Sequence, residues 1–256
     1  MVDIPTIGES VVSEIGLAGV WEGAVVRGRG EVVPETCIPG TDVLRTSVIV
    51  TWADVVTGSV AGSMITERIP LTLDLEVQVQ EPARLGDRMV IEAAPLKAGR
   101  TVAVAEARVR NEDTGAPIAY AIATFFASPN PADVFPDGFP DLGDMPVGFL
   151  PEPVADRAGI TIVEPGVAEV PHRGKNLNAS NAIQGGIVSL AAEEAVRSLH
   201  DEPVVLDAVN LRYLKGITSG PGRAVAEAMG ASTVVRIIDV GRDKLATLIT
   251  ARTRPV

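Results

Sequence analysis

Cysteine occurs once in 256 residues, at Cys37, and histidine twice, at His172 and His200. A single thiol excludes a disulfide within the chain and fits a reducing, cytoplasmic setting. With no matched histidine, Cys37 reads as inert packing rather than a nucleophile. Two histidines leave a His-based metal cage or a Ser-His-Asp triad little to work with. Cations are also short: 22 Lys and Arg stand against 33 Asp and Glu, a net charge of -11. That balance argues against nucleic acid, whose phosphates must be met by clustered Lys and Arg, and against an anionic membrane surface. The opening MVDIPTIGES lacks the basic start and apolar stretch of a secretory signal. Hydrophobic residues are not lacking. They make up 46% of the chain, enough for a substantial core and too many for disorder.

Residues 46–66 are nearly uncharged and about as long as a membrane span. Asp54 near the middle, seven Thr or Ser and flanks without Lys/Arg asymmetry favour a helix buried in protein instead.

The chain reads as one plan written twice. An alternating stretch at 19–33 suggests a strand, 46–66 a helix, and alternating runs at 70–80, 88–97, 101–112 and 117–127 a set of antiparallel strands. Residues 129–153 carry seven prolines, too stiff and too poor in N–H donors for a sheet interior. Phe135, Phe139 and Phe149 suggest that this strap packs over a surface. Then the plan repeats: a strand at 160–170, a helix at 183–200, and strands at 204–214, 223–232, 233–241 and 244–254. Thr72-Leu-Asp-Leu-Glu-Val77 is echoed by Val205-Leu-Asp-Ala-Val-Asn210, and Arg88-Met-Val-Ile-Glu-Ala93 by Arg223-Ala-Val-Ala-Glu-Ala228. The expected fold is α+β, each half an antiparallel sheet wrapped around one long helix. The expected divisions are 1–127, a Pro-rich linker at 128–157, and 158–256. The first helix, apolar nearly all round, should be fully covered. The second is more amphipathic and should be exposed on one side or protrude at its end.

Three places could carry chemistry. Asp54 is the only charged residue between Arg45 and Glu67, and an unpaired carboxylate is costly to bury, which points to function. Asn178 is followed by Gln184-Gly185-Gly186 at the start of a helical pattern. Glycines there let a ligand reach free backbone N–H groups, where the helix dipole favours developing negative charge. Glu193-Glu194 sits about two turns further on, and by itself reads as solvated acids pairing with Arg197 at helical spacing.

Asn178, Gln184-Gly185-Gly186 and Leu190-Ala191-Ala192-Glu193 together resemble the signature of hotdog-fold acyl-CoA thioesterases of the phenylacetate-pathway and 4-hydroxybenzoyl-CoA types. That signature has an Asn or Gln, then His or Gln with Gly-Gly, and an acid nine residues after the His or Gln. Gln184 to Glu193 has this spacing, as does Arg45 to Asp54, where Arg45-Thr46-Ser47 stands in place of His-Gly-Gly. Only the second half therefore carries the motif in full. Val209-Asn-Leu-Arg-Tyr-Leu214 resembles a strand region of the same family.

The resemblance implies two tandem hotdog domains whose pairing within one chain builds a composite site. Asp54 would act as general base on a water or attack the thioester carbonyl itself, and the Gly185 and Gly186 amides would polarise that carbonyl. Asn178 or Gln184 would orient water or carbonyl. Glu193 would face Arg45 in a second site that the cation neutralises. No cofactor is implied beyond the coenzyme A of the substrate, for whose phosphates Arg84, Arg88, Arg173 and Lys215 are candidates. A homo-oligomer is expected. Two other readings stand: an acyl-CoA-binding hotdog protein without activity, and an enoyl-CoA hydratase of hotdog fold, against which the missing Asp-x-Asn-Pro-x-His run counts.

Overall fold

The computed structural model describes residues 10–65, 68–134, 142–144 and 147–256. The first half holds α1 (Val11–Glu14), β1 (Ala18–Glu22), β2 (Val25–Glu31), α2 (Thr46–Met64), β3 (Pro70–Val79), β4 (Arg88–Lys97), β5 (Val102–Asn111) and β6 (Pro117–Ala127). The second holds α3 (Val154–Ala158), β7 (Thr161–Glu164), β8 (Val167–Val170), α4 (Gly185–Arg197), β9 (Val204–Tyr213), β10 (Gly222–Met229), β11 (Ser232–Asp239) and β12 (Lys244–Pro255). The twelve strands among the described residues form one antiparallel sheet in the order β1-β2-β4-β5-β6-β3-β9-β12-β11-β10-β8-β7. Read inward from either end, that order is the same sequence of elements. The halves meet where β3 pairs with β9, from Asp74 opposite Arg212 to Gln78 opposite Ala208.

Two expected strands are hairpins instead. The run at 19–33 breaks at Gly23, whose φ of 66° makes a turn between β1 and β2. The run at 160–170 breaks at Pro165-Gly166, with Gly166 at φ 81°. In both cases the alternating pattern continues across the turn and conceals it.

The helix α2 packs against β2 to β6 and against α4. It is long and apolar enough to cross a membrane, yet 72% of its apolar window is buried inside the protein. Its hydroxyls are tolerated there because they bond to the helix's own carbonyls: Thr51 Oγ1 to Ser47 O (2.7 Å), Thr57 Oγ1 to Ala53 O (2.6 Å) and Ser59 Oγ to Val55 O (2.9 Å). The expected exposed face of α4 is covered: Gly186–Glu193, Ala195 and Val196 are buried, with only its end, at Leu199 and His200, open to solvent. The residues that gave it amphipathic character, Glu193 and Glu194, turn inward to Arg45.

Of the strap phenylalanines, Phe135 and Phe139 lie outside the described residues, and Phe149 is 84% exposed rather than packed. Anchoring falls to Leu142, whose side chain fills the space a Cβ on Gly19 would take, and to Gly148 N–H, which donates to Ser13 O (3.0 Å).

Because the sheet runs unbroken through β3 and β9, the halves should unfold together. Leu211 on β9 is fully buried, and both tryptophans, Trp21 and Trp52, lie in the first half. Leu211→Ala should cost about 2–5 kcal/mol. It should shift the denaturation midpoint seen by tryptophan fluorescence as far as that seen by circular dichroism; a shift in only one signal would show that the halves unfold separately.

Candidate active site

The two long helices lie side by side and antiparallel, so that the N-terminus of each faces an acid about two turns into the other. At the N-terminus of α2 the cap residue is Arg45, whose side chain caps nothing locally. The cap comes from α4 instead. Glu193 Oε1 accepts from Thr46 N–H (2.9 Å) and Ser47 N–H (3.4 Å), while Oε2 accepts from Ser47 Oγ (2.6 Å) and Arg45 Nη1 (3.4 Å). Glu193 is 0% exposed and Arg45 1%. Arg45 also bonds Cys37 O through Nε (3.2 Å) and Glu194, which in turn pairs with Arg197 (2.9 Å). Burial works against the Arg45 charge, but the Glu193 and Glu194 carboxylates outweigh it and hold the guanidinium above its usual pKa. Two cations and two anions thus close this end into a neutral cluster in which every charge has a counter-charge. Glu193, a candidate catalytic residue by spacing, is here a structural ligand of α2, and it does not line the cavity described below.

At the N-terminus of α4 the same geometry stays open. The cap residue Gln184 has no capping side-chain bond. No hydrogen bond to the Gly185 or Gly186 N–H occurs among the described residues, as expected of the first amides of a helix lacking a cap. Asp54 of α2 faces this end: a Cβ on Gly185 would lie 3.4 Å from Asp54 Oδ2 and 2.9 Å from the Tyr213 hydroxyl. A Cβ on Gly186 would collide with Thr51 Oγ1 at 2.3 Å. The glycine pair is therefore set by the close approach of α2 and by the groups gathered over Gly185. The carboxylate that mirrors Glu193 is an Asp, one methylene shorter, and its Oδ1 is tied to Thr72 Oγ1 of β3 (2.9 Å).

These groups line a cavity of about 830 Å³ between the halves, with Asp54, Thr72, Asn178, Gln184, Gly185 and Tyr213 among its polar lining and Val55, Ile69, Leu71, Phe125 and Val188 among its apolar walls. Burial pushes the Asp54 carboxyl up to about 6, against the pull of the Thr72 bond. Burial, and then the Asp54 charge, hold the Tyr213 phenol well above its usual range, so it remains a donor. Its oxygen is buried without a partner among the described residues, as is Gln184 Oε1. Asn178 lines the cavity but its Oδ1 is engaged by Ser180 N–H (3.0 Å) and Ala182 N–H (3.1 Å), shaping the loop before α4. Only its amide nitrogen is left to face a ligand.

Asp54, Asn178, Gln184 and Gly185 are thus brought together at the cavity, and Gly186 sits beside them against Thr51. Tyr213 and Thr72 were missed: they come from β9 and β3, and only the strand pairing reveals that they converge on α4. Of the four phosphate candidates, Arg84 is paired with Asp42 (2.6 Å), Arg88 with Asp113, and Arg173 with the Arg157 carbonyl (2.6 Å); Lys215 alone lines the cavity.

An unbroken sheet holding two facing central helices in one chain is the double-hotdog fold, and solved structures share it at low identity. The 12:0-ACP thioesterase from Umbellularia californica superposes with a TM-score of 0.67 at 13% identity, covering 93% of this chain and 100% of that one. A protein provisionally described as an oleoyl thioesterase from Lactobacillus plantarum does so at 0.63 and 11%, covering 91% and 95%. A provisionally described thioesterase II from Thermobifida fusca reaches 0.61 at 17%, covering 100% and 99%. Residues 44–118 match the family model described as the Thioesterase superfamily. That match falls on the half without Gly-Gly, and it spans the α2 segment bearing Asp54 with the strands that follow. No curated protein matches the chain.

The two acids should answer differently to neutralisation. Glu193→Gln should strand Arg45 and cost on the order of 3 kcal/mol, seen as a lower thermal midpoint. Asp54→Asn should stabilise at neutral pH. Between the unfolded pKa near 3.8 and about 6 the folded chain holds a proton on Asp54 that the unfolded chain has lost, so stability falls as pH rises through that window. The advantage of the Asn variant should reach at most about 3 kcal/mol above pH 6 and vanish below about pH 4. An advantage that does not change with pH would contradict the burial of Asp54.

Proposed function

We propose that the protein hydrolyses acyl thioesters, of coenzyme A or of an acyl-carrier arm, to the free acid and thiol, with one working site per chain at the N-terminus of α4. The observation that carries this reading is the pair of unbonded helix-terminal amides beside a half-buried carboxyl pushed up to about 6. The thioester carbonyl rests on the Gly185 and Gly186 N–H groups, which stabilise the oxyanion as it forms. The Tyr213 hydroxyl, a buried donor beside Gly185, adds to them. Asp54 takes the proton of the attacking water, or itself adds to the carbonyl before water releases the acid. Either way the C–S bond breaks, the departing thiolate gains a proton, and Asp54 must begin ionised. Gln184 and the Asn178 amide orient water or substrate, and the acyl chain lies along the apolar walls. The thioesterase superfamily match and the fold shared with thioesterases support the reading.

Asp54→Asn should lower kcat about 10²–10⁴-fold with the circular dichroism spectrum unchanged. Asp54→Glu should also lose most activity, because the longer side chain can reach the α4 amides as Glu193 reaches those of α2. For the parent chain, kcat/KM should rise with pH through about 6 and then level off. A thiol-release assay over an acyl-CoA panel reads all three. Full activity in the Asn variant would move the site elsewhere, and no release from any thioester would favour a non-catalytic binder. We propose further that the chain assembles as a homo-oligomer, since β1 and β7 end the sheet and Ile162 and Val163 on β7 are exposed. Light scattering should give a mass above that of one chain; a monomer at micromolar concentration would contradict it.

A further inference from the structure

Beside the cavity lies a second hollow of about 440 Å³, walled chiefly by Lys215, Thr218, Asp239, Arg242 and Lys244. Lys215, Gly216 and Thr218 line both spaces, so the two adjoin. The chain brings the cations together by strand pairing. Lys215 stands two residues beyond Tyr213, roughly 7 Å along an extended chain, and its N–H bonds Ala246 O (3.0 Å) next to the start of β12. Lys244 opens that strand, and Arg242 sits in the turn before it.

In a chain with 33 acidic residues and 22 Lys and Arg, cations usually find a carboxylate, and here Arg27, Arg45, Arg84, Arg88, Arg157 and Arg223 all do. Lys215, Arg242 and Lys244 form no ion pair among the described residues. The acid in the same wall does not serve them. Asp239 Oδ2 accepts from Thr218 N–H (3.0 Å) and Ser219 N–H (3.3 Å), and Oδ1 accepts from Gly220 N–H (2.8 Å), so its charge is spent on the loop 218–220. Arg242 is steered by one bond from Nε to Ser219 Oγ (3.1 Å). Thr218 Oγ1 is buried with no hydrogen-bond partner among the described residues. Three unpaired cations and an unpartnered hydroxyl around one hollow make a receptor for a compact oxyanion.

We propose that this hollow seats a phosphate carried by the thiol portion of the substrate, at the far end of its pantetheine arm from the acyl group. The inference rests on the cavity being a thioester site. A phosphate in that position is common to coenzyme A and to the arm of an acyl-carrier protein.

The test compares the parent with Lys244→Glu and Arg242→Glu on one acyl group carried by four thiols: N-acetylcysteamine, which has no phosphate, phosphopantetheine, coenzyme A and a carrier protein. Each charge reversal should raise the KM of the phosphopantetheine thioester, relative to that of the N-acetylcysteamine thioester, about tenfold or more. Lys244→Met should give a smaller rise in the same ratio. A lower parent KM for the coenzyme A substrate than for the carrier protein assigns the nucleotide carrier; the reverse assigns the protein. An unchanged ratio in both reversals overturns the phosphate seat while leaving thioester hydrolysis intact. If the parent hydrolyses none of the four, the activity reading falls, and calorimetric titration with coenzyme A still decides the hollow. Binding that weakens about tenfold in Lys244→Glu upholds it, and equal or undetectable binding in parent and variant overturns it.

Discussion

Two antiparallel helices each set an N-terminus against the middle of the other, and each must satisfy its free amides with something other than its own residues. Neither Arg45 nor Gln184 supplies a local side-chain cap. The remaining donors are buried between two halves of a sheet, where an unmet N–H costs as much as a lost hydrogen bond. The pseudo-symmetry offers an acid from the opposite helix at each end. At one end Glu193 reaches the amides and the need is met. At the other, Asp54 is shorter and anchored to Thr72, so the amides remain free to hold a carbonyl oxygen.

From that difference the rest follows. The closed end needs a charge balance, because a buried carboxylate pair would otherwise repel; Arg45 and Arg197 supply it. A cluster of this kind is costly to desolvate and contributes mainly by fixing how α2 and α4 meet. The open end leaves Asp54 without a cation, which is why burial raises its pKa rather than an ion pair lowering it. It also leaves the Tyr213 and Gln184 oxygens without partners among the described residues. One end gives the interface its geometry, and the other uses that geometry for chemistry. A polar group left unsatisfied at an otherwise well-bonded interface is where a substrate belongs.

Much of this was legible in the sequence. The repeat of helix and strands, the nine-residue spacing from Arg45 to Asp54 and from Gln184 to Glu193, and the Gly185-Gly186 pair are local signals, and local signals survive in one dimension. The opposition of Arg45 to Glu193 followed once the halves were set face to face. The hairpin turns at Gly23 and Pro165-Gly166 were missed because alternation of apolar residues runs on through a tight turn. The covered face of α4 was missed because a hydrophobic pattern cannot foresee that Glu193 and Glu194 find a buried arginine 148 and 149 residues away. Thr72, Tyr213, Arg242 and Lys244 share one reason for being overlooked: each reaches its place through strand register or a turn between paired strands, and its neighbours in sequence say nothing of its neighbours in space.

The central claim is that each chain has one open helix end and one closed one, and hence a single place for a thioester carbonyl. Calorimetric titration of the protein with a non-hydrolysable thioether analogue of its best acyl substrate tests this directly. The account predicts a stoichiometry of one analogue per chain, with binding lost when Gly185→Val fills the space beneath Asp54 and Tyr213. Two analogues per chain, or unchanged binding in the valine variant, would contradict it.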